Sequence, residues 1–184
     1  LTRIYHESDP AWVVASYGTN SGLTWLRDGA AFLVLSEGDG WRQAFIHARD
    51  GALIATLTPE GYDIIARAQV DQAGGWFYFY ASPDNATQKY LYRVPLDGSE
   101  APARVTPGGQ AGTHDYNIAP GGKWAFHTYS SFDAPPITEL VSLPDHKHVR
   151  LLSDRAALHA RAEKIIAHPT EFLQINLPND VTAD

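Results

Sequence analysis

Gly74-Gly75-Trp76-Phe77-Tyr78-Phe79-Tyr80-Ala81-Ser82 is the stretch on which the fold turns. Paired glycines open a tight turn, and the aromatic run behind them has no polar position, as expected of a strand covered on both faces. Asp28-Gly29 before Ala31 to Ser36, and Gly121-Gly122 before Lys123 to Ser131, restate the same phrase. Downstream come second turns at Asp50-Gly51, Asp97-Gly98 and Pro144-Asp145. Apolar stops follow at Leu57-Thr58, Val105-Thr106 and Leu151-Leu152. The landmarks recur about every 46 to 48 residues, the period of a four-stranded propeller blade. Three such blades do not close a ring.

Working outward, the turns divide the chain into antiparallel meanders. The first has strands over Thr24–Asp28, Ala31–Ser36, Trp41–Ala48 and Leu53–Leu57, and the second over Ile64–Val70, Trp76–Ala81, Lys89–Pro95 and Ala103–Thr106. The third runs through His114–Ala119, Trp124–Ser130, Thr138–Leu143 and His148–Leu152. The fold expected is all-β: a partial β-propeller of three four-stranded blades over 23–60, 61–107 and 108–152. Residues 1–22 read as the last strand of a preceding blade and a loop, with Trp12-Val13-Val14 as its apolar part. In 153–184, Ser153 or Asp154 caps a short helix, Arg155 to Ile165, and a strand follows at Phe172 to Leu177.

Composition narrows the function classes. Of 184 residues, 11% are aromatic and 19% charged, which gives ample apolar material for a core. A net charge of −7 without any basic run argues against a nucleic-acid partner. The absence of cysteine removes disulfides and thiolate metal sites, and no apolar stretch reaches membrane-span length. The chain starts at Leu1 and contains no Met, so it reads as a piece of a larger polypeptide.

Several phrases are specific enough to resemble a known family. Ser36-Glu37-Gly38-Asp39-Gly40-Trp41-Arg42-Gln43 resembles the Ser-Glu-x-Asp-Gly-Trp-x-His/Gln phrase in propellers of the dipeptidyl peptidase IV group of prolyl oligopeptidase-like serine peptidases. Leu91 to Gly98 and the run Thr128 to Pro136, with its two adjacent prolines, are similar to the same domains. The resemblance implies the C-terminal part of the propeller, with 153–184 leading toward an α/β-hydrolase domain. It implies a parent that releases N-terminal dipeptides with Pro or Ala second, acts on short peptides, and is periplasmic or secreted. The propeller would cap the active site and restrict access. Ser16 and Tyr17, in a loop that faces the hydrolase in the family, are the substrate-side candidates.

No catalytic residue is expected within the chain. A nucleophile elbow needs Gly-x-Ser-x-Gly, and Gly18-Thr19-Asn20-Ser21-Gly22 has Asn at its centre. The Glu-Glu pair with which the family anchors the substrate amine is absent too. Neither cofactor nor metal is expected. His146 and His148 read as a solvated hairpin rather than a zinc pair, and His114 and His127 as hydrogen-bonded structure. Glu37-Gly38-Asp39 reads as a turn and Asn85-Ala86-Thr87 as a weak glycosylation sequon; Trp41, Trp76 and Trp124 invite an aromatic substrate platform, but blade packing explains Trp76 and Trp124 better, and Trp25 reads as core. Uncovered blade faces predict self-association. Two other readings are a stand-alone propeller used as a binding scaffold and the propeller of an inactive pseudo-peptidase.

Overall fold

The computed structural model describes residues 2–11, 13, 23–38, 40–132, 134–162, 164, 171, 173–178 and 181–183. Three four-stranded antiparallel meanders follow one another along the chain. The first is β1 (Thr24–Leu26), β2 (Ala31–Ser36), β3 (Gln43–Ala48) and β4 (Leu53–Thr56). The second is β5 (Ala66–Asp71), β6 (Trp76–Ala81), β7 (Tyr90–Pro95) and β8 (Ala103–Arg104). The third is β9 (Thr113–Ile118), β10 (Trp124–Ser131), β11 (Ala134–Ser142) and β12 (Lys147–Ser153). A short helix α1 (Ala156–Ala162) and a hairpin of β13 (Ile175–Leu177) and β14 (Val181–Ala183) complete the described elements.

Period-two geometry explains why β6 is aromatic throughout. Phe77 and Phe79 face one way, into a core with Leu33, Ile46 and Leu57 of the first blade. Tyr78 and Tyr80 face the other, into a core with Tyr116, Ile118 and Val141 of the third. Each buried ring of this kind contributes about 2 to 3 kcal/mol of transfer free energy. The middle blade is thus a two-sided wall.

Polar contacts lock the seams. Gln72 accepts the Arg27 N–H at 3.1 Å and donates to the Trp25 carbonyl at 3.2 Å, fastening the second blade to the first. Across the other seam Gln69 donates to the Ala119 carbonyl at 3.3 Å. The stop residues have a physical role: Thr58 Oγ1 accepts the Ala44 N–H at 3.1 Å and Thr106 Oγ1 accepts the Leu91 N–H at 2.9 Å. In both cases a hydroxyl ends the ladder on the third strand of its blade. Leu151-Leu152 lacks that hydroxyl, and β12 continues, exposed, to Ser153.

The outer blades depart from the sequence reading. In the third blade β9 alternates strictly between exposed and buried positions, so it is covered on one face only. Trp124 therefore stands 47% exposed on the outward row of β10, and Trp25 is 44% exposed, against the assignments to packing and core. Trp25 instead lies edge-on to Phe32, with the Arg49 guanidinium 5.5 Å from its ring. Residues 2–11 run irregularly across the first blade, where Tyr5 packs edge-on against Phe32 and His47, and Ser36 donates to Glu7 at 2.5 Å. Trp12 and Val14 lie outside the described residues.

β11 begins at Ala134, four residues before Thr138. Pro135 and Pro136 are tolerated because β12 pairs only from Thr138 onward, so no neighbour there requires their missing N–H. Asp154 caps α1 by accepting the Ala156 N–H at 3.1 Å.

Candidate functional site

The turn between β6 and β7 overhangs a cleft of about 590 Å³ lined by Trp41, Asp63, Ile65, residues 82–88, Leu173 and Gln174. Pro83, Asp84 and Asn85 make a helix or strand unfavourable there, and Asn85 closes the turn by accepting the Thr87 N–H at 2.9 Å and the Thr87 hydroxyl at 2.7 Å. Asp63 accepts the Arg42 N–H at 3.2 Å and holds the start of β3, just after Trp41, against the wall. Trp41 is 45% exposed, a broad apolar face at the rim. Among the described residues, Gln88 Oε1 is buried without a hydrogen-bond partner. The lining contains Asp63 and Asp84 but no Lys or Arg. Such a cleft suits an uncharged or cationic chain with N–H groups to donate.

A second polar centre is buried in the third blade. Antiparallel register sets His127 on β10 opposite Glu139 on β11, both facing the second blade. His127 Nδ1 lies 2.9 Å from Glu139 Oε1, and its Nε2 lies 2.9 Å from His114 Nδ1. His114 Nε2 lies 3.1 Å from the Gln110 carbonyl, and His148 Nδ1 lies 2.5 Å from Glu139 Oε2. His146 stands perpendicular to His127, ring centroids 4.7 Å apart, and its Nε2 is buried without a partner.

Burial governs the protonation of this group. It pushes His114 down to about 4, aided by the neighbouring His127. Burial also lowers His127, opposed by the hydrogen bond with Glu139, and lowers His146. Desolvation pushes the Glu139 carboxyl up, but hydrogen bonds to His127 and His148 outweigh it and hold the group below its ordinary range. The arrangement therefore joins an ionised carboxylate to largely neutral imidazoles.

Neither centre was a sequence candidate. Ser16 and Tyr17 lie outside the described residues, as does Asp39. Glu37 does form the expected turn, its carbonyl accepting the Gly40 N–H at 2.9 Å. His146 is not on a solvated hairpin: a left-handed backbone (φ 49°) turns it inward, to 9% exposure, while His148 remains outside.

Comparison with known proteins gives one consistent picture. The family model for the dipeptidyl peptidase IV (DPP IV) N-terminal region matches residues 1–136. A probable dipeptidyl-aminopeptidase B of Fusarium vanettenii is 28% identical over 140 residues, covering 74% of this chain and 15% of that protein. The protein of the same name from Aspergillus fumigatus is 29% identical over 135 residues, covering 71% and 14%. The chain thus spans about 15% of the length of these relatives. Among solved structures, Porphyromonas gingivalis dipeptidyl peptidase 4 superposes with a TM-score of 0.70 at 22% identity, over 87% of this chain and 22% of that one. A putative dipeptidyl aminopeptidase IV from Bacteroides ovatus gives 0.58 at 16% identity, over 71% and 21%. Both likenesses concern the fold.

Proposed function

The chain belongs to the dipeptidyl peptidase IV N-terminal region family, and from that premise we propose that it is a non-catalytic propeller segment of a serine peptidase that releases N-terminal dipeptides of the Xaa-Pro or Xaa-Ala kind. Its role is to gate peptide access to an active site carried elsewhere, with 153–184 leading toward an α/β-hydrolase domain. The observation that carries the reading is the cleft under residues 82–88, which joins a sheet-bound wall, an exposed indole and an unpartnered amide acceptor. Stacked sheets exclude a folded protein, whereas an extended peptide can lie along the cleft against the exposed Trp41 indole.

Periplasmic or secreted placement belongs to the same reading, as does the loop holding Ser16 and Tyr17 on the substrate side. So does self-association of the isolated chain: Trp124 and Phe126, 47% and 51% exposed, form an apolar row that a second copy would cover.

The test compares the parent peptidase with its Gln88→Ala and Trp41→Ala variants on a dipeptidyl chromogenic substrate and on a peptide of about ten residues. Gating predicts that kcat/KM for the long peptide changes by at least about fivefold while the short substrate is unaffected, since only the long one reaches the propeller wall. Equal changes for both substrates, or none for either, would refute it.

A further inference from the structure

The His127 cluster poses a proton-counting problem. Three close contacts run in series, Gln110 carbonyl to His114, His114 to His127, and His127 to Glu139. Each needs a hydrogen between its two electronegative atoms. Two neutral imidazoles bring two protons. If His127 Nδ1 carries its proton toward Glu139, His114 must donate through Nδ1, and its Nε2 lone pair then faces a carbonyl oxygen 3.1 Å away. If instead His114 donates to Gln110 and His127 to His114, His127 Nδ1 turns a lone pair on the Glu139 carboxylate at 2.9 Å. The remaining options add a proton to the group, either as an imidazolium beside the Glu139 carboxylate or as a Glu139 carboxylic acid donating to His127 Nδ1.

The His146 ring stands 4.7 Å from His127, its Nε2 buried and without a hydrogen-bond partner among the described residues. Donor atoms of His127, Glu139 and His146 all fall within 4.8 Å of one another. The geometry points to a divalent metal site of the zinc class in the third blade, with His127 Nδ1, Glu139 Oε1 and His146 Nε2 as the protein's ligands. Every proton then has a place. His127 Nε2–H donates to His114, His114 Nε2–H donates to the Gln110 carbonyl, and His148 Nδ1–H donates to the second Glu139 oxygen. That outer layer of donors is the kind that fixes the tautomer of a metal-bound imidazole and the orientation of a bound carboxylate.

The donor chemistry agrees. Two imidazoles and one carboxylate form a borderline set that suits zinc rather than calcium or magnesium. Two donors on a tetrahedral zinc lie about 3.3 Å apart, so the His127–Glu139 contact need open by only a few tenths of an ångström. His146 holds its ring in place from a left-handed backbone, a conformation a histidine rarely adopts without compensation. The ion would fasten β10, β11 and the turn before β12 to one another. This inference stands apart from the peptidase reading.

Zinc alone is the probe. The chelator-treated protein is titrated with Zn²⁺ by calorimetry, and with Co²⁺ by visible absorption, which reports a tetrahedral site directly. His146→Gly removes one ligand while suiting the positive φ, and Glu139→Gln keeps the shape of the carboxylate. The expected result is one equivalent of zinc, intense Co²⁺ bands, and at least about a 100-fold loss of affinity in either variant, with unaltered circular dichroism for His146→Gly. Failure of the wild-type protein to take up an equivalent, or zinc binding by His146→Gly as tight as by wild type, would overturn the site. The cluster would then be a hydrogen-bonded network only.

Discussion

Removing one hydroxyl, in Tyr80→Phe, probes the seam between the second and third blades. β9 is an edge strand, bonded to β10 on one side and, on the other, bridged at Thr113 by Lys89, whose carbonyl accepts the His114 N–H at 3.1 Å. At Tyr116 its outward N–H and C=O need partners, and Tyr80 supplies both: its hydroxyl accepts the Tyr116 N–H at 2.7 Å and donates to the Tyr116 carbonyl at 3.2 Å. A single phenol thus replaces a neighbouring strand. Each lost bond is worth a net ~1 kcal/mol, and the stranded N–H adds a desolvation penalty of ~1 to 3 kcal/mol. Tyr80 and Tyr116 are 8% and 7% exposed, so little water reaches the gap. The expected loss is about 2 to 4 kcal/mol, read as a lower urea midpoint at unchanged slope, with faster hydrogen exchange at the Tyr116 amide. Tyr92→Phe is the control: Tyr92 is as buried, but its hydroxyl makes no hydrogen bond among the described residues, and the change should cost under about 0.5 kcal/mol. A Tyr80→Phe midpoint within error of wild type, with Tyr116 protection intact, would show that the seam rests on apolar packing alone.

Two more perturbations address the same seam and its chemistry. Gly112 has φ +145° and a Cβ there would sit 2.3 Å from the Ser130 carbonyl oxygen, so Gly112→Ala should lose about 2 to 3 kcal/mol and disturb the Lys89 N–H to Gly112 carbonyl bond; Gly108→Ala, in open space, should be neutral, and equal midpoints for the two variants would contradict the geometry. Burial raises Tyr80 and Tyr92 to about 12, so between the ordinary value of 10 and that point the folded chain keeps protons the unfolded chain has released, and stability falls as pH rises through the window; urea midpoints that stay flat from pH 9 to about 11.5 would argue against it.

How much of this was legible in the sequence depends on which force set each feature. Turns and strands were, because Gly74-Gly75 and Gly121-Gly122 include positive-φ positions that glycine fills without strain, and the runs behind them begin at Trp76 and Trp124 in the fold. The two-sided burial of β6 was legible from its unbroken aromatic run. The outer blades were not, since Trp25 and Trp124 carry the same residue type as the packed Trp76, and only a covering neighbour distinguishes core from surface. Tyr5 shows the converse. An irregular segment with one aromatic ring covers Phe32 as well as a strand would, and no periodicity announces it.

The polar centre of the third blade was hidden for a different reason. Apart from His146 and His148, its members are separated in sequence by intervals that match no ligand motif, because cross-strand register does the assembling: His127 faces Glu139 across one ladder, and Val141 is paired with His148 across the next. A signal existed nonetheless. Along β11, Glu139 and Val141 share a face, and along β10, Ala125 and His127 do, so a carboxylate and an imidazole stand where the period-two pattern demands apolar residues. Folding desolvates both, a cost that hydrogen bonds within the pair only partly offset. The orphan Nε2 of His146 adds to that cost unless something occupies the gap. A proton can serve one contact in the gap; a divalent cation can serve all three donors at once, which is why the convergence of donor atoms, and not the spacing of histidines, points to the site.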